Sequence, residues 1–316
     1  MRDENRPPGD VSIVDVQFRH GDDVLAGTLY GPAGPGRHPA VALVYGSGVE
    51  TRDYDGMGST LARYFARNGF ACLTWDKPGC GKSTGDFNKQ TLPDRAEEAL
   101  AAVRFLRARD DVQPDRVGLW GHSQGGIVIP QAAALSGEVA FLIEVSGWQG
   151  PGWEQDIVRV EAELRAGGFS QADIDEATAF ARRRMDMIRG TGSFEEFDKI
   201  QNAAKSARWF GHVHYCDRTL FYSGRRTVGF DTGPAWEKVH CPVLAIYGGK
   251  DRSSGPEEPL VEIIRRGLAK AGNTDFTVKI FPDADHSICQ SQPGGSDFAP
   301  GFLETMTNWL TKRFGG

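Results

Sequence analysis

The sequence has no apolar run long enough to span a membrane and no excess of basic residues. No stretch approaches the roughly 18 apolar residues that a membrane helix needs, and the polar residues 1–10 lack the apolar core of a signal peptide. The 36 Lys and Arg residues are outnumbered by 42 Asp and Glu, which gives a formal net charge of −6. This balance argues against nucleic acid or an anionic membrane as the main partner. We therefore expect a soluble, cytoplasmic protein.

Cysteine is scarce and scattered, which argues against two ways of stabilising a fold. The five cysteines are an odd number and form no Cys-x-x-Cys pair, so we expect neither a disulfide framework nor a zinc site. We expect no other metal and no cofactor. At 316 residues, with 40% hydrophobic and 25% charged residues, the composition is that of an ordinary globular protein. The chain is long enough to bury a sizeable core.

The most informative feature present is a Gly-x-Ser-x-Gly motif at residues 121–125, with Ser123 at its centre. A short apolar run over 115–120 predicts a strand before it, and residues 126–134 predict a helix after it. In this setting the motif predicts a nucleophile elbow, a tight turn that lifts the serine hydroxyl above the sheet. Glycine suits the turn because a larger side chain would clash with the serine backbone. The alternative is an ordinary turn whose serine is inert.

Strand-like and helix-like patterns alternate over most of the chain. Strands are expected at 11–18, 24–30, 40–45, 70–75, 115–120, 139–145, 241–247 and 276–281. Helices are expected at 58–68, 94–109, 126–134, 257–271 and 298–314. Repeated strand–helix–strand units predict an α/β protein, in which helices cover both faces of a mostly parallel sheet.

The pattern changes between these strands, where residues 153–202 are rich in charged residues and alanine. Helical periodicity predicts three amphipathic helices, at 158–166, 171–188 and 194–204. We interpret residues 148–235 as a helical cap over the active site, inserted into a core made of residues 1–147 and 236–316. A plain helical insertion is the alternative. The aromatic residues of 209–215 are expected mainly to pack the cap onto the core, with lining of a substrate pocket as the second interpretation.

Two further segments supply partners for the serine, which needs a base and a group that orients the base. Asp251 follows the predicted strand that ends at 247, and His286 follows the one that ends at 281. Both therefore lie on the carboxyl edge of the sheet that carries Ser123. Asp283 and Asp285 are rival acids, although side chains so close to the histidine usually shape its loop. His122, within the elbow, is expected to point away from the face of Ser123 and to pack in the interior.

These motifs resemble those of the α/β-hydrolase superfamily. The matching pieces are residues 45–48 with 52–53, residues 75–83, the elbow, residues 248–251 and residues 285–286, and the order Ser, Asp, His is that of the fold. Within the superfamily the chain resembles a group of bacterial serine esterases, acyl-CoA thioesterases and dienelactone-hydrolase-like proteins. The resemblance implies an eight-stranded, mostly parallel sheet with a helical cap after the sixth strand. One departure is Tyr45, which stands where relatives usually carry histidine.

The resemblance also implies roles for individual residues. Ser123 would be the nucleophile, His286 the base and Asp251 the group that orients the base, while the backbone N–H groups of Ser47 and Gln124 would form the oxyanion hole. Two side chains are expected to contact substrate, Tyr45 and Trp209. The predicted activity is hydrolysis of carboxylic esters or thioesters of small to medium acyl groups.

Other functions remain open at this stage. The same triad serves acyltransferases, lyases and cyclases, and a peptidase or amidase is a further alternative. A non-catalytic binding protein is a third class, although an intact set of three catalytic residue types argues against it. The expected partner is a small-molecule acyl substrate, not nucleic acid or a membrane. The sequence leaves the oligomeric state open, with a homodimer among the alternatives.

Overall fold

A single large sheet organises the chain, of which the computed structural model describes residues 11–190, 192–213, 215–292 and 295–315. Its strands are β1 (Val11–His20), β2 (Asp23–Pro32), β3 (His38–Val44), β4 (Ala71–Trp75), β5 (Val112–His122), β6 (Leu142–Val145), β7 (Val243–Gly248) and β8 (Phe276–Phe281). They pair in the order β1-β2-β4-β3-β5-β6-β7-β8. The predicted α/β-hydrolase fold, with a mostly parallel eight-stranded sheet, is therefore confirmed.

Antiparallel pairing is confined to one edge of this sheet. β1 and β2 form a hairpin, whose tight turn contains Gly21 at a φ of 57°, and β2 also pairs antiparallel to β4. From β4 to β8 each strand runs parallel to its neighbour. The carboxyl ends of β3, β5, β7 and β8 therefore share one edge of the sheet, where α/β folds bind their ligands.

Helices cover both faces of the sheet. In chain order the described α-helices are α1 (Met57–Arg67), α2 (Leu92–Arg107), α3 (Gln124–Leu135), α4 (Gln155–Ala166), α5 (Gln171–Arg189), α6 (Phe194–Ala204), α7 (Arg218–Thr227), α8 (Gly233–Trp236), α9 (Glu257–Lys270) and α10 (Phe302–Phe314). Side chains of α2, α3 and α9 pack on one face, and those of α1 and α10 pack on the other. In β3, Ala40 and Ala42 face the first group of helices, while Val41 and Leu43 face the second. This is why the strand reads as a continuous apolar run.

The helices α4 to α7 are inserted between β6 and β7. Serine side chains cap two of them: Ser170 accepts a hydrogen bond from the backbone of Asp173 before α5, and Ser193 forms a capping box with Glu196 before α6. The apolar faces of the inserted helices form two clusters separate from those that flank the sheet. One of these clusters contains Trp209. The inserted helices thus bury apolar surface among themselves.

Several elements differ from the sequence predictions. The helix α7 was not predicted. A hairpin of β9 (Cys289–Gln292) and β10 (Gly295–Phe298) was also missed. The terminal helix was predicted from residue 298 but begins at Phe302, after Gly301 with a φ of 85°.

Two further observations concern the helices and the cysteines. Within the described residues, no helix combines the length and apolar character needed to cross a membrane. All five cysteines carry free thiols. Burial raises the pKa of Cys241 to about 12 and that of Cys289, three residues after His286, to about 11. Cys289 is therefore protonated near neutral pH, and its thiol is a poor nucleophile.

Candidate active site

Ser123 stands at a strained turn between β5 and α3. Its φ of 56° and ψ of −120° lie outside the regions that residues other than glycine usually occupy. A β-carbon on Gly121 would lie 2.5 Å from the carbonyl oxygen of Gly125. A β-carbon on Gly125 would lie 1.9 Å from the carbonyl oxygen of Val44. Neither glycine can carry a side chain without movement of the backbone, which is the geometry of a nucleophile elbow.

Asp251 and His286 are hydrogen-bonded to each other at the same edge of the sheet. The distance between Asp251 Oδ2 and His286 Nδ1 is 2.8 Å. The other carboxylate oxygen of Asp251 accepts the backbone N–H groups of Ser253 at 2.7 Å and Ser254 at 3.1 Å. Because an ionised carboxylate only accepts, Nδ1 of His286 carries the proton. In the neutral ring, Nε2 is then free to accept a proton from another group.

One cavity of about 590 Å³ is lined by both Ser123 and His286. Ser47 and His122 contribute to the sheet side of the cavity. The remaining walls include residues of α4, α5 and α7. The inserted helices and the elbow serine therefore line the same cavity.

The backbone around Ser47 and Gln124 is also positioned beside the serine. Both residues line a smaller cavity of about 130 Å³ together with Ser123. Gln124 is the first residue of α3, so its N–H has no acceptor within the helix. A β-carbon on Gly46 would lie 3.2 Å from Cβ of Ser123 and 2.6 Å from the Tyr54 hydroxyl. The segment before Ser47 thus approaches the elbow as closely as a glycine allows.

The predicted substrate contacts of Tyr45 and Trp209 are wrong. Tyr45 is 2% exposed, stacks on Tyr54 with ring centroids 4.4 Å apart, and donates its hydroxyl proton to the carbonyl of Arg52. Trp209 is also 2% exposed and donates its indole N–H to Glu176 within the inserted helices. Neither side chain lines the cavity that contains the serine. Trp209 packs among the inserted helices, whereas the favoured interpretation of the aromatic segment had it pack the cap onto the core.

His122 is buried, as expected, but it does not point away from the face of Ser123, because it lines the same cavity and its ring centroid lies 5.0 Å from that of His286. It also links the histidine loop to the end of β3. Its Nε2 lies 2.9 Å from the carbonyl oxygen of His286, so Nε2 must carry the proton and donate it. Burial, together with the charge of His286, lowers the pKa of His122 to about 4. Nδ1 of the neutral ring therefore accepts the hydroxyl proton of Tyr54, at 3.0 Å. The Tyr54 oxygen in turn accepts the N–H of Gly46 at 3.3 Å.

Sequence reasoning missed Tyr54, which lines the cavity and completes this series of hydrogen bonds. Its position between two predicted elements carries no periodic pattern that would single it out. Tyr54 has a φ of 47°, which few residues other than glycine adopt. The contact with His122 joins residues 68 positions apart in the chain, so only the folded structure identifies it.

Three other carboxyl groups near the site have different partners. Asp283 is exposed and pairs with Lys250 at 2.8 Å. Asp285 accepts the backbone N–H groups of Ser287 and Cys289, so it shapes the loop after His286. Burial raises the pKa of Glu144, on β6, well above its usual range, and its carboxyl group accepts the backbone N–H of Gly147. None of these groups matches the contact that Asp251 makes.

The described residues offer no cluster for a metal ion. No group of three or more His, Cys, Asp or Glu side chains is arranged to hold one in this part of the chain. The structure brings together at this site a serine hydroxyl, an imidazole hydrogen-bonded to a carboxylate, and the backbone around Ser47 and Gln124.

Comparisons with known proteins agree with this architecture. A family model described as "Alpha/beta hydrolase family" matches residues 38–295. An uncharacterized 31.7 kDa protein in the traX-finO intergenic region of Escherichia coli is 23% identical, over 96% of this chain and 99% of that protein. The acyltransferase drtE of Aspergillus calidoustus is 30% identical over 140 residues, 44% of each chain. The structure of an esterase from Pyrococcus furiosus superposes with a TM-score of 0.59 at 16% identity, covering 99% of this chain and 96% of that one.

Substitution of Gly125 by alanine should destabilise the fold, because the new β-carbon would overlap the carbonyl oxygen of Val44. We expect the free energy of unfolding to fall by about 2–3 kcal/mol, as for other overpacked sites. Gly137→Ala is the matched control, since nothing lies within 4 Å of its β-carbon position. Urea denaturation of both variants measures the difference. Equal stability of the two would contradict the close contact between the elbow and β3.

The buried, neutral state of His122 predicts a specific pH dependence of stability. Its pKa is about 4 in the folded chain and 6.5 ordinarily, so between these values the unfolded chain binds a proton that native His122 does not. The free energy of unfolding should therefore fall with decreasing pH, by about 1.4 kcal/mol per pH unit from this group. The difference in stability between wild type and His122→Phe isolates the effect. Urea denaturation at several pH values should show that this difference changes from pH 6.5 to pH 4, and a constant difference would refute the neutral histidine.

Proposed function

The chain belongs to the alpha/beta hydrolase family, and we propose that it is a serine hydrolase that cleaves carboxylic esters or thioesters through an acyl-enzyme. The observation that carries the proposal is the hydrogen bond of 2.8 Å between Asp251 and His286, beside an elbow serine that lines the same cavity. A histidine that only packs or faces solvent does not require a carboxylate that is itself held in place by two backbone N–H groups. A catalytic imidazole does require such a carboxylate, because the carboxylate orients the ring.

In the proposed acylation step, Nε2 of His286 removes the hydroxyl proton of Ser123 as its oxygen attacks the acyl carbon. Asp251 stabilises the imidazolium that forms and keeps the ring oriented. The acyl oxygen becomes an anion, which the N–H groups of Ser47 and Gln124 would stabilise. Each such donor is worth roughly 3 kcal/mol in the transition state. The N-terminal end of α3 adds a favourable partial charge.

Breakdown of the tetrahedral intermediate releases the alcohol or thiol. His286 donates its proton to the leaving group, and the acyl group stays on the Ser123 oxygen. Water then enters, gives a proton to His286 and attacks the acyl carbon. Collapse of the second intermediate returns the proton to Ser123 and releases the acid.

The size of the cavity supports small to medium acyl substrates. At about 590 Å³ it lies within the range of roughly 300–1,000 Å³ that is typical of small-molecule sites. Apolar side chains of the inserted helices line part of it, among them Met185, Ile188 and Leu220. These can pack against an acyl chain, while Ser123 and His286 lie on the opposite side.

Acyl transfer is a second candidate, favoured by one of the relatives. The Aspergillus protein is named an acyltransferase and matches 44% of this chain. The same acyl-enzyme would serve that reaction, with an alcohol or amine in place of water. The two reactions differ only in the group that accepts the acyl unit, so product analysis with and without an added acceptor separates them.

Replacement of Ser123 by alanine should lower kcat at least about 10⁴-fold, because the nucleophile is lost. The assay uses aryl esters and acyl-CoA thioesters with protein free of host esterases. A fluorophosphonate should label wild type at Ser123, located by mass spectrometry, and should not label the variant. Retention of substantial activity in Ser123→Ala would overturn the assignment, and so would a wild-type adduct at another residue.

Asp251→Asn should lower kcat by about 10³–10⁴-fold, because the amide no longer stabilises the imidazolium and favours the wrong tautomer of His286. Asp283→Asn is the matched control, since Asp283 pairs with Lys250 at the surface. It should keep kcat within about twofold, as expected for a weak surface ion pair. Steady-state kinetics of the two variants decide the point, and the reverse result would transfer the orienting role to Asp283.

A further inference from the structure

Two buried basic side chains contact the loop of residues 45–48, hereafter the oxyanion loop, and the proposed mechanism uses neither. Lys77 is 2% exposed, and its amine lies 2.5 Å from the carbonyl oxygen of Gly46 and 2.8 Å from that of Gly48. Arg95 is 4% exposed, and its guanidinium lies 2.8 Å from the carbonyl oxygen of Tyr45 and 3.4 Å from that of Gly46. Three carbonyl oxygens of this loop, those of Tyr45, Gly46 and Gly48, thus accept hydrogen bonds from the two side chains.

These contacts determine the direction of the Ser47 N–H. The carbonyl of Gly46 and the N–H of Ser47 belong to one peptide group, and no peptide bond of the described chain is cis. In a planar trans peptide the C=O and N–H point in opposite directions. Because the carbonyl points to Lys77 and Arg95, the N–H points away from them. Ser47 lines both cavities that contain Ser123.

Arg95 also connects the two sides of the proposed oxyanion hole. The same guanidinium that contacts the oxyanion loop donates a hydrogen bond to the side-chain carbonyl of Gln124. Gln124 supplies the other proposed N–H donor, at the start of α3. One rigid, planar group therefore bridges the two segments whose spacing must match a single oxygen atom.

Burial of these two basic side chains is energetically unfavourable, which indicates that they do more than fill space. Removing an amine and a guanidinium from water is unfavourable unless partners compensate. Burial and the nearby charge of Arg95 lower the pKa of Lys77 to about 6. Near neutral pH most of the Lys77 amine is then uncharged, with two N–H bonds for its two carbonyl partners. An apolar side chain would fill the same space at lower cost but would leave the loop carbonyls without donors.

We propose that Lys77 and Arg95 are positioning residues that clamp the oxyanion loop and direct the Ser47 N–H at the acyl oxygen of the substrate. The clamp acts through the backbone and touches no substrate atom. It predicts that stabilisation of the tetrahedral intermediate depends on Lys77, whereas binding of the ground-state substrate does not. This inference rests on the proposed serine hydrolase function.

The test compares Lys77→Met with a matched control, Lys82→Met. Lys82 lies in the loop after β4 that also carries Lys77, and its side chain is 76% exposed. Prolonged fluorophosphonate labelling counts the active sites, so that kcat refers to folded, competent enzyme. In Lys77→Met we expect kcat to fall by about 10²-fold, the size associated with a lost oxyanion donor, with KM unchanged within about threefold. The inhibition constant of an alkyl trifluoromethyl ketone, which forms a tetrahedral adduct on the serine, should rise by a similar factor. Lys82→Met should resemble wild type in all three measurements.

Unchanged kcat per active site in Lys77→Met, or equal losses in KM and in the affinity for the ketone, would overturn the clamp. If Lys77→Met does not fold, Lys77→Gln is measured instead, since its amide keeps a polar group in the buried site but its stem is one bond too short to reproduce the two contacts of the Lys77 amine. The same pattern is expected, and wild-type values for kcat and ketone affinity would again refute the proposal. Failure of the proposed function has a different signature, because wild type itself would then carry no adduct on Ser123.

Discussion

The close approach between the elbow and the end of β3 is the constraint on which the rest of the site depends. A β-carbon on Gly125 would overlap the carbonyl oxygen of Val44, and one on Gly46 would lie 3.2 Å from Cβ of Ser123. Because neighbouring parallel strands set the spacing of these segments, the two proposed oxyanion donors are brought together by the sheet itself. The strained backbone of Ser123 is one cost of this arrangement, and the packing of the sheet between two layers of helices offsets it.

Buried polar side chains hold in place the loops that follow the strands at this edge of the sheet. His122 and Tyr54 connect the backbone of His286 to that of Gly46, and Lys77 and Arg95 hold the other side of the same loop. Both series of contacts end on backbone carbonyl or N–H groups, so they position the main chain. This is economical for a site whose donors are backbone groups, because loop residues are otherwise the most mobile part of a fold.

The core of the site could be predicted because its members stand at strand ends, and strand ends are visible in the sequence. The apolar runs before Asp251 and His286 placed both residues on the edge that carries Ser123. The substrate contacts predicted for Tyr45 and Trp209 are wrong, and the sequence contains a reason for the first but not for the second. Tyr45 continues the alternation of Val41 and Leu43 and so turns toward the apolar cluster with α1 and α10. Trp209 has no such pattern, and its partner Glu176 lies 33 residues away.

By itself, the sequence determined the fold class, the elbow and the order of serine, acid and histidine along the chain, because each depends on local periodicity and glycine spacing. Only the tertiary structure decided which polar side chains meet behind the loop. Lys77 reaches Gly46 across 31 residues, Arg95 reaches Tyr45 across 50, and His122 reaches the backbone of His286 across 164. Contacts over such separations leave no local pattern, since they arise from the spatial order of the strands within the sheet.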